Sequence, residues 1–565
     1  MRLATPLLLA LATAATWAGT SCTSAPPAEA PPSTPPTGAS APPVPGDVSE
    51  AIDAALTAEW AARSIEPARP ADDATWLRRV TLDVLGRVPT EDEVLAHLAD
   101  RSPDRDARLV DRLLADPAHA TRLARWWEDV LLGPEVRRGD VDRGALRRWL
   151  AARFARDDGW DTMVRGLVTA EGTSSAGGRR LDRLAGPDAE RTALEEEREV
   201  DGAVNWLLRH RKSRPDLAGA AAQAFLGVPI QCAQCHDHPV ERWTQGDFES
   251  FAAAFAQVRM VPVDRREGVY RVEDTDRIDR RLLRDDLGAA MARATPRALD
   301  GTDLAPPEGS DATRRDRLAG WMTAPDNPWA ARSFVNRVWA RYLGMGLVEP
   351  VDDLGETAQP VLAPLLDDLA ARFVAAGWSV RAVERGVLLS RAYRVAAAPL
   401  EGDVAAARWS RFAARPMDED ALVGALFTVL DAERRAARLP PRAAAALELR
   451  VRRAVSLAFD EDAEANPTRS DATVQQILLL MNAELIDRGT SAGAPSSVLA
   501  GLDAREAEDD RRVIDALFVR VLGRPATPAD HELARAFVAA SPSRDEALED
   551  LFWALLNGSA FVTVL

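Results

Sequence analysis

The residues able to carry chemistry are concentrated between Phe225 and Phe255. Cys232-Ala233-Gln234-Cys235-His236 sets two thiols three residues apart, with an imidazole directly after them. This is the attachment spacing of a c-type haem: two thiols on one turn add to the two vinyl groups, and the next imidazole faces the iron. In that reading Cys232 and Cys235 are the thioether donors of haem c and His236 is the proximal ligand. Phe225, Leu226, Val228, Ile230, Trp243, Phe248, Phe251 and Phe255 offer an apolar wall for a macrocycle. His238 lies too near His236 to reach the opposite face, which leaves Met260 and His210 as candidates for a second axial ligand.

Two other chemistries use the same residues. A Cys232–Cys235 disulfide, redox-active or structural, suits an oxidising compartment. A single metal ion held by both thiolates with His236 or His238 is the third option. Such a set is incomplete for zinc, whose ligand pairs usually come from separated segments. Asp237 and Trp243 then act as supports around the ligands. The enzymatic status of the chain stays open at this level.

Other motifs point to structure. Gly489-Thr490-Ser491-Ala492-Gly493 has nucleophile-elbow spacing, but a helical pattern precedes it where a strand is needed. Asp352, Asp353 and Glu356 are read as a polar turn, and the isolated His97, His119 and His531 as helix-surface residues. Arg209 to Arg214 reads as a solvated helix face. The formal charge of −17 argues against nucleic acid as a partner.

Helices must position these groups, because the dominant period from Asp47 onward is helical. Leu146, Trp149, Leu150 and Phe154 form one stripe, as do Phe334, Val335, Val338, Trp339 and Tyr342. Asn327-Pro328 predicts a helix start, Gly344 and Gly346 a stop, and Ser379 another start. Val474 to Met481 reads as a buried helix; strand-like alternation is rare, and Val258 to Val272 is its clearest short β piece. The fold class is therefore all-α, with two helical domains and minor β at most. Pro- and Gly-rich Thr295 to Thr313 separates them, giving an N-terminal domain over 47–258, a connector over 259–313 and a C-terminal domain over 314–565. An internal echo joins the two ends. Val84-Leu85-Gly86-Arg87 with Pro89-Thr90 recurs as Val521-Leu522-Gly523-Arg524 with Thr527, which predicts a duplicated helical hairpin.

The first residues predict export. Arg2, the apolar run Leu3 to Ala18 and small residues to Cys22 have the layout of a signal peptide over 1–21. Gly19-Thr20-Ser21-Cys22 resembles a lipobox in which Cys22 is lipidated, with Gly19 departing from the usual leucine. Nine prolines between Thr23 and Gly46 favour extended polyproline II, so 22–46 reads as a tether. The expected location is the cell envelope, lipid-anchored and periplasmic or facing the outer membrane, with a membrane and a redox protein as partners.

Two sets of motifs resemble a known family. Phe225-Leu226-Gly227-Val228, Gln231 to Pro239, and Trp243-Thr244-Gln245 with Asp247-Phe248 are similar to the cytochrome-type (PSCyt) domain of planctomycete envelope proteins. Asn327-Pro328-Trp329, Val335 to Trp339, Gly346 to Asp353 and Leu388 to Arg391 are similar to its companion PSD-type domain. The resemblance covers nearly everything from Asp47 onward and implies exported proteins of unknown function. The cytochrome label rests on the same CxxCH, and a link to polysaccharide processing is implied by context. The leading expectation is covalent haem binding with an electron-transfer role. Its competitor is a non-catalytic envelope scaffold or binding protein with a structural CxxC disulfide or metal site.

Overall fold

The computed structural model describes residues 47–133, 141–174, 201–266, 268–355, 357–398, 408–432 and 509–565, with short stretches between 451 and 506. Cys22, the leader, the tether and the Val474 to Met481 helix lie outside the described residues. What is described is mainly helical, as the periodicity predicts. Seven helices open the described residues: α1 (Val48–Ala62), α2 (Asp73–Leu85), α3 (Glu91–Ala99), α4 (Arg105–Ala115), α5 (Pro117–Leu132), α6 (Arg143–Ala155) and α7 (Trp160–Val168). Their starts follow from capping chemistry. Asp47, Asp72, Thr90, Asp116 and Asp142 each accept a backbone N–H of the first turn, satisfying donors that the helix leaves unpaired.

The main β element is where alternation places it, while three two-residue strands among the described residues fall outside that stretch. Strands β2 (Val258–Asp264) and β3 (Val269–Asp274) form an antiparallel hairpin, and β1 (Gly172–Thr173) adds to the far side of β3. Val258, Met260 and Val272 point into the core while Arg259 and Arg271 face out, the period of two expected of a half-buried sheet. Strands β4 (Arg415–Pro416) and β5 (Thr563–Val564) make a short second pair.

Residues on both sides of the 259–313 connector share one hydrophobic core. Trp127 of α5 stacks on Phe334 at 5.8 Å, and Phe334 stacks on Phe373 at 4.7 Å, so one aromatic column crosses the connector. Polar ties follow the same route. Arg122 of α5 grips Asp418 with two hydrogen bonds of 3.1 and 2.7 Å. Arg78 of α2 donates to the carbonyls of Phe561 and Thr563. Tyr393 donates its hydroxyl to Asp83 at 2.7 Å. No helix among the described residues is long and apolar enough to cross a membrane.

The internal echo is a structural repeat. Gly86 ends α2 at φ 69°, Thr90 caps α3 in a box with Glu93, and Arg87 pairs with Glu93 at 2.7 Å. Gly523 ends the helix Asp510–Leu522 at φ 69°, Thr527 caps Pro528–Ala540 in a box with Asp530, and Arg524 pairs with Asp530 at 2.7 Å. Burial pushes the Glu93 carboxyl up, but Arg87 and the Thr90 amide hold it down at about 2. Gly86→Ala is expected to cost about 1–3 kcal/mol in urea unfolding of the full chain. A side chain is strained at this positive φ, and the new Cβ would lie 2.9 Å from the Arg122 guanidinium that holds Asp418. Gly523→Ala shares the strain but meets only the Arg78 stem at 3.3 Å, so its loss should be smaller.

Candidate functional site

The helix Arg214–Ala221 runs into a π-helical turn, Ala222–Leu226, and stops at Gly227 with φ 66°. A Cβ there would press on Leu354 and Ser333 at 3.0 and 3.1 Å, so glycine is required by both conformation and space. A 3₁₀ turn, Ile230–Gln234, follows. Three residues per turn put Ile230 and Ala233 in one row, and both are buried; Cys232 and Cys235 fall in the next row and are exposed. Burial of the apolar row is what turns the thiols outward. Both thiols are free in this structure.

The loop after the turn is held by hydrogen bonds. Gln234 reaches Asp216 at 3.3 Å, Asp237 accepts the Gln245 N–H at 2.9 Å, and His238 N–H donates to the Trp243 carbonyl at 2.8 Å. Thr244 then caps the helix Gln245–Ala252 in a box with Asp247.

The two histidines are held in opposite tautomers. His236 Nδ1 lies 2.7 Å from the Asp237 carbonyl oxygen, which can only accept, so Nδ1 carries the proton. Its Nε2 lone pair is left for a ligand, the usual arrangement behind a metal-bound imidazole. His238 Nδ1 instead accepts the Glu241 and Val240 N–H groups at 2.9 and 3.4 Å. Its neutral ring therefore keeps the proton on Nε2. With the Nδ1 lone pair taken by backbone N–H groups and the ring proton on Nε2, His238 offers no lone pair to a metal, which argues against it as the ligand of the non-haem alternative. Among the described residues no group of three or more His, Cys, Asp or Glu is placed to hold a metal ion.

The donor set fits covalent haem attachment, with two outward thiols in one row and one imidazole with a free Nε2. The expected apolar wall does not. Phe225, Leu226, Val228, Ile230, Trp243, Phe248, Phe251 and Phe255 are all buried in the protein core: the π turn carries Phe225 and Leu226 inward, the 3₁₀ turn Ile230, and the helix Gln245–Ala252 Phe248 and Phe251. Trp243 is a core tryptophan with the Arg242 guanidinium 4.5 Å over its ring. Met260 is buried in β2. His210 packs edge-on against Trp206 with a buried, unpartnered Nε2, and burial pulls its pKa down to about 4.

The second half of the chain meets this segment directly. Leu354 N–H donates to the Gly227 carbonyl at 2.6 Å, and Thr357 donates its N–H and hydroxyl to Glu241 at 3.0 and 2.6 Å. Gln223 donates to Asp352 at 3.0 Å, Arg337 donates to the Gln223 carbonyl at 3.1 Å, and Trp329 lies 6.3 Å from Trp243. Sequence reasoning singled out both motif sets without pairing them; their appearance in one chain was the only available signal. Asp353 accepts the Gly355 N–H, so this stretch is a polar turn, and Glu356 lies outside the described residues.

Several expectations are corrected. His97, His119 and His531 are buried, each beside a carboxylate: Asp106, Glu384 and Asp515. Arg214 is buried too, donating to the Arg211 carbonyl at 2.9 Å with Asp279 opposite. Asn327 caps through its side chain, accepting from Trp329 and Ala330, but the helix begins at Ala330. Gly489 and Thr490, by contrast, are helical as the preceding pattern indicates, with Ser491 facing Glu549; Gly493 lies outside the described residues.

Residues 51–260 match the family model PSCyt2, described as a protein of unknown function (DUF1549). Residues 314–538 match PSD1, likewise described as a protein of unknown function (DUF1553). No curated protein and no solved structure matches the chain.

Proposed function

Taking as premise that the chain belongs to the proteins joining a PSCyt2 domain to a PSD1 domain, we propose that it is an exported envelope protein carrying covalent haem c for electron transfer. The observation that carries this reading is the donor set: Cys232 and Cys235 exposed in one row, beside a His236 whose Nε2 is free. Haem attached there supplies a one-electron carrier. Cys232 and Cys235 would hold it and His236 Nε2 would ligate it, while the Asp237 carbonyl fixes the tautomer by accepting the Nδ1 proton. An exposed site suits exchange with a redox partner protein. Export through the leader, with Cys22 as the lipid anchor, places the protein where such attachment occurs and in contact with the membrane.

A second reading has its own support. The apolar side chains meant for a macrocycle are already buried, and the same 3₁₀ row brings Cys232 and Cys235 near enough in sequence for a short disulfide staple. The chain is then a non-catalytic envelope scaffold or binding protein.

Mass and visible absorption of the mature protein from a haem-maturing host separate the two. A Soret band with the mass of one haem added, both lost in Cys232→Ala and Cys235→Ala, is the expected result. A colourless protein of unmodified mass overturns the haem reading.

A further inference from the structure

One short loop of the second module holds the CxxCH segment at both ends. Gly227, before the segment, receives the Leu354 N–H at 2.6 Å. Glu241, after it, receives both the N–H and the hydroxyl of Thr357. Leu354 and Thr357 are three residues apart, whereas the residues they hold are separated by the whole of Val228 to Val240. The fit is close: a Cβ at Gly355 would lie 2.6 Å from the Glu241 carboxylate. Asp352 extends the contact to Gln223, which also accepts from Arg337 through its carbonyl. His238 completes the restraint from inside the loop, because its Nδ1 accepts the N–H of Glu241 itself. The backbone at Glu241 is thus tied to the histidine turn while its side chain is tied to the second module.

We propose that Asp352 to Gly355, together with Thr357, form a strap that sets the shape of the CxxCH segment, with Glu241 and Thr357 as its positioning residues. A chain segment that is mostly exposed loop opens locally at low cost unless its ends are fixed. Here both ends are fixed to a loop carried by another module, so the spacing of Cys232, Cys235 and His236 depends on how the modules meet. The same arrangement gives the PSD1 module a physical role at a site it does not contain. The importance of that role rests on reading Cys232 to His236 as the working site; the strap itself requires no haem.

The test is amide exchange over Gln231 to Gln245 in the full chain, with iodoacetamide labelling of Cys232 and Cys235 wherever the thiols are free. Glu241→Ala should accelerate exchange in this segment about five- to tenfold and change the labelling rates, with exchange in α2 and α3 unchanged. Glu241→Gln, which keeps an acceptor oxygen for Thr357, should restore rates close to those of the parent, and Thr357→Val should fall between. A folded Glu241→Ala protein with unchanged exchange overturns the strap. So does acceleration spread evenly over the chain, which would mark a purely global loss of stability. A colourless protein that still shows the local effect would remove the haem reading and leave the strap standing.

Discussion

His119→Ala should destabilise the protein by about 3–5 kcal/mol, because it leaves a carboxylate buried without its partner. Glu384 is fully buried and His119 only 2% exposed, with Nε2 and Oε2 2.9 Å apart; the Tyr342 hydroxyl donates to the other Glu384 oxygen at 2.8 Å. Burial pushes the Glu384 carboxyl up, but His119, the Tyr342 hydroxyl and Arg341 outweigh it and hold the group below its ordinary value of 4.5. A carboxyl depressed in the folded state adds stability above its unfolded pKa and loses it as pH falls through the folded one. The gap between the parent protein and Glu384→Gln should therefore narrow as pH falls below about 4.5. Urea melts at pH 7 and pH 3.5 measure this. The triple change His119→Leu, Glu384→Leu, Tyr342→Phe removes every member of the network and should recover most of the single-variant loss. A single-variant cost under about 1 kcal/mol would mean that water reaches the cluster.

His236→Ala and His238→Ala should behave in opposite ways. In haem-loaded protein, His236→Ala should keep the thioether mass but lose the axial imidazole, shifting the Soret band. His238→Ala should keep the band and instead release the N–H groups of Val240 and Glu241, costing about 0.5–1.5 kcal/mol and loosening the loop. The tautomers account for the contrast: one ring turns a free Nε2 outward, while the other spends its Nδ1 on the backbone. Imidazole nitrogen resonances test the same point in protein without haem, with protonated Nδ1 expected for His236 and protonated Nε2 for His238. The reverse assignment would remove His236 as the ligand.

The CxxCH spacing, the helical class, a short β piece over Val258 to Val272, the helix stop at Gly344, the start at Ser379 and the hairpin repeat were legible in the sequence. All of these depend on interactions within a few residues. Thr90 reaches Glu93, Gly86 ends its own helix, and a strand reveals itself by alternation at period two. The apolar wall failed for a related reason: composition names hydrophobic residues but does not say whether a turn sends them toward a crevice or into the core.

What only the tertiary structure decided is which distant partners meet. His119 looks like a surface histidine until Glu384, 265 residues later, arrives beside it. Helical periodicity marks an apolar face but carries no label for the face that covers it, so two predicted domains turned out to share one aromatic column through Trp127, Phe334 and Phe373. The strap belongs to the same class. Glu241 and Thr357 are ordinary polar residues taken singly, and only the packing of one module on the other puts a carboxylate within hydrogen-bond reach of both donors. The sequence by itself determined the chemistry on offer at Cys232, Cys235 and His236. Long-range packing decided how that chemistry is presented, because burial, tautomer and loop shape depend on neighbours that local spacing cannot specify.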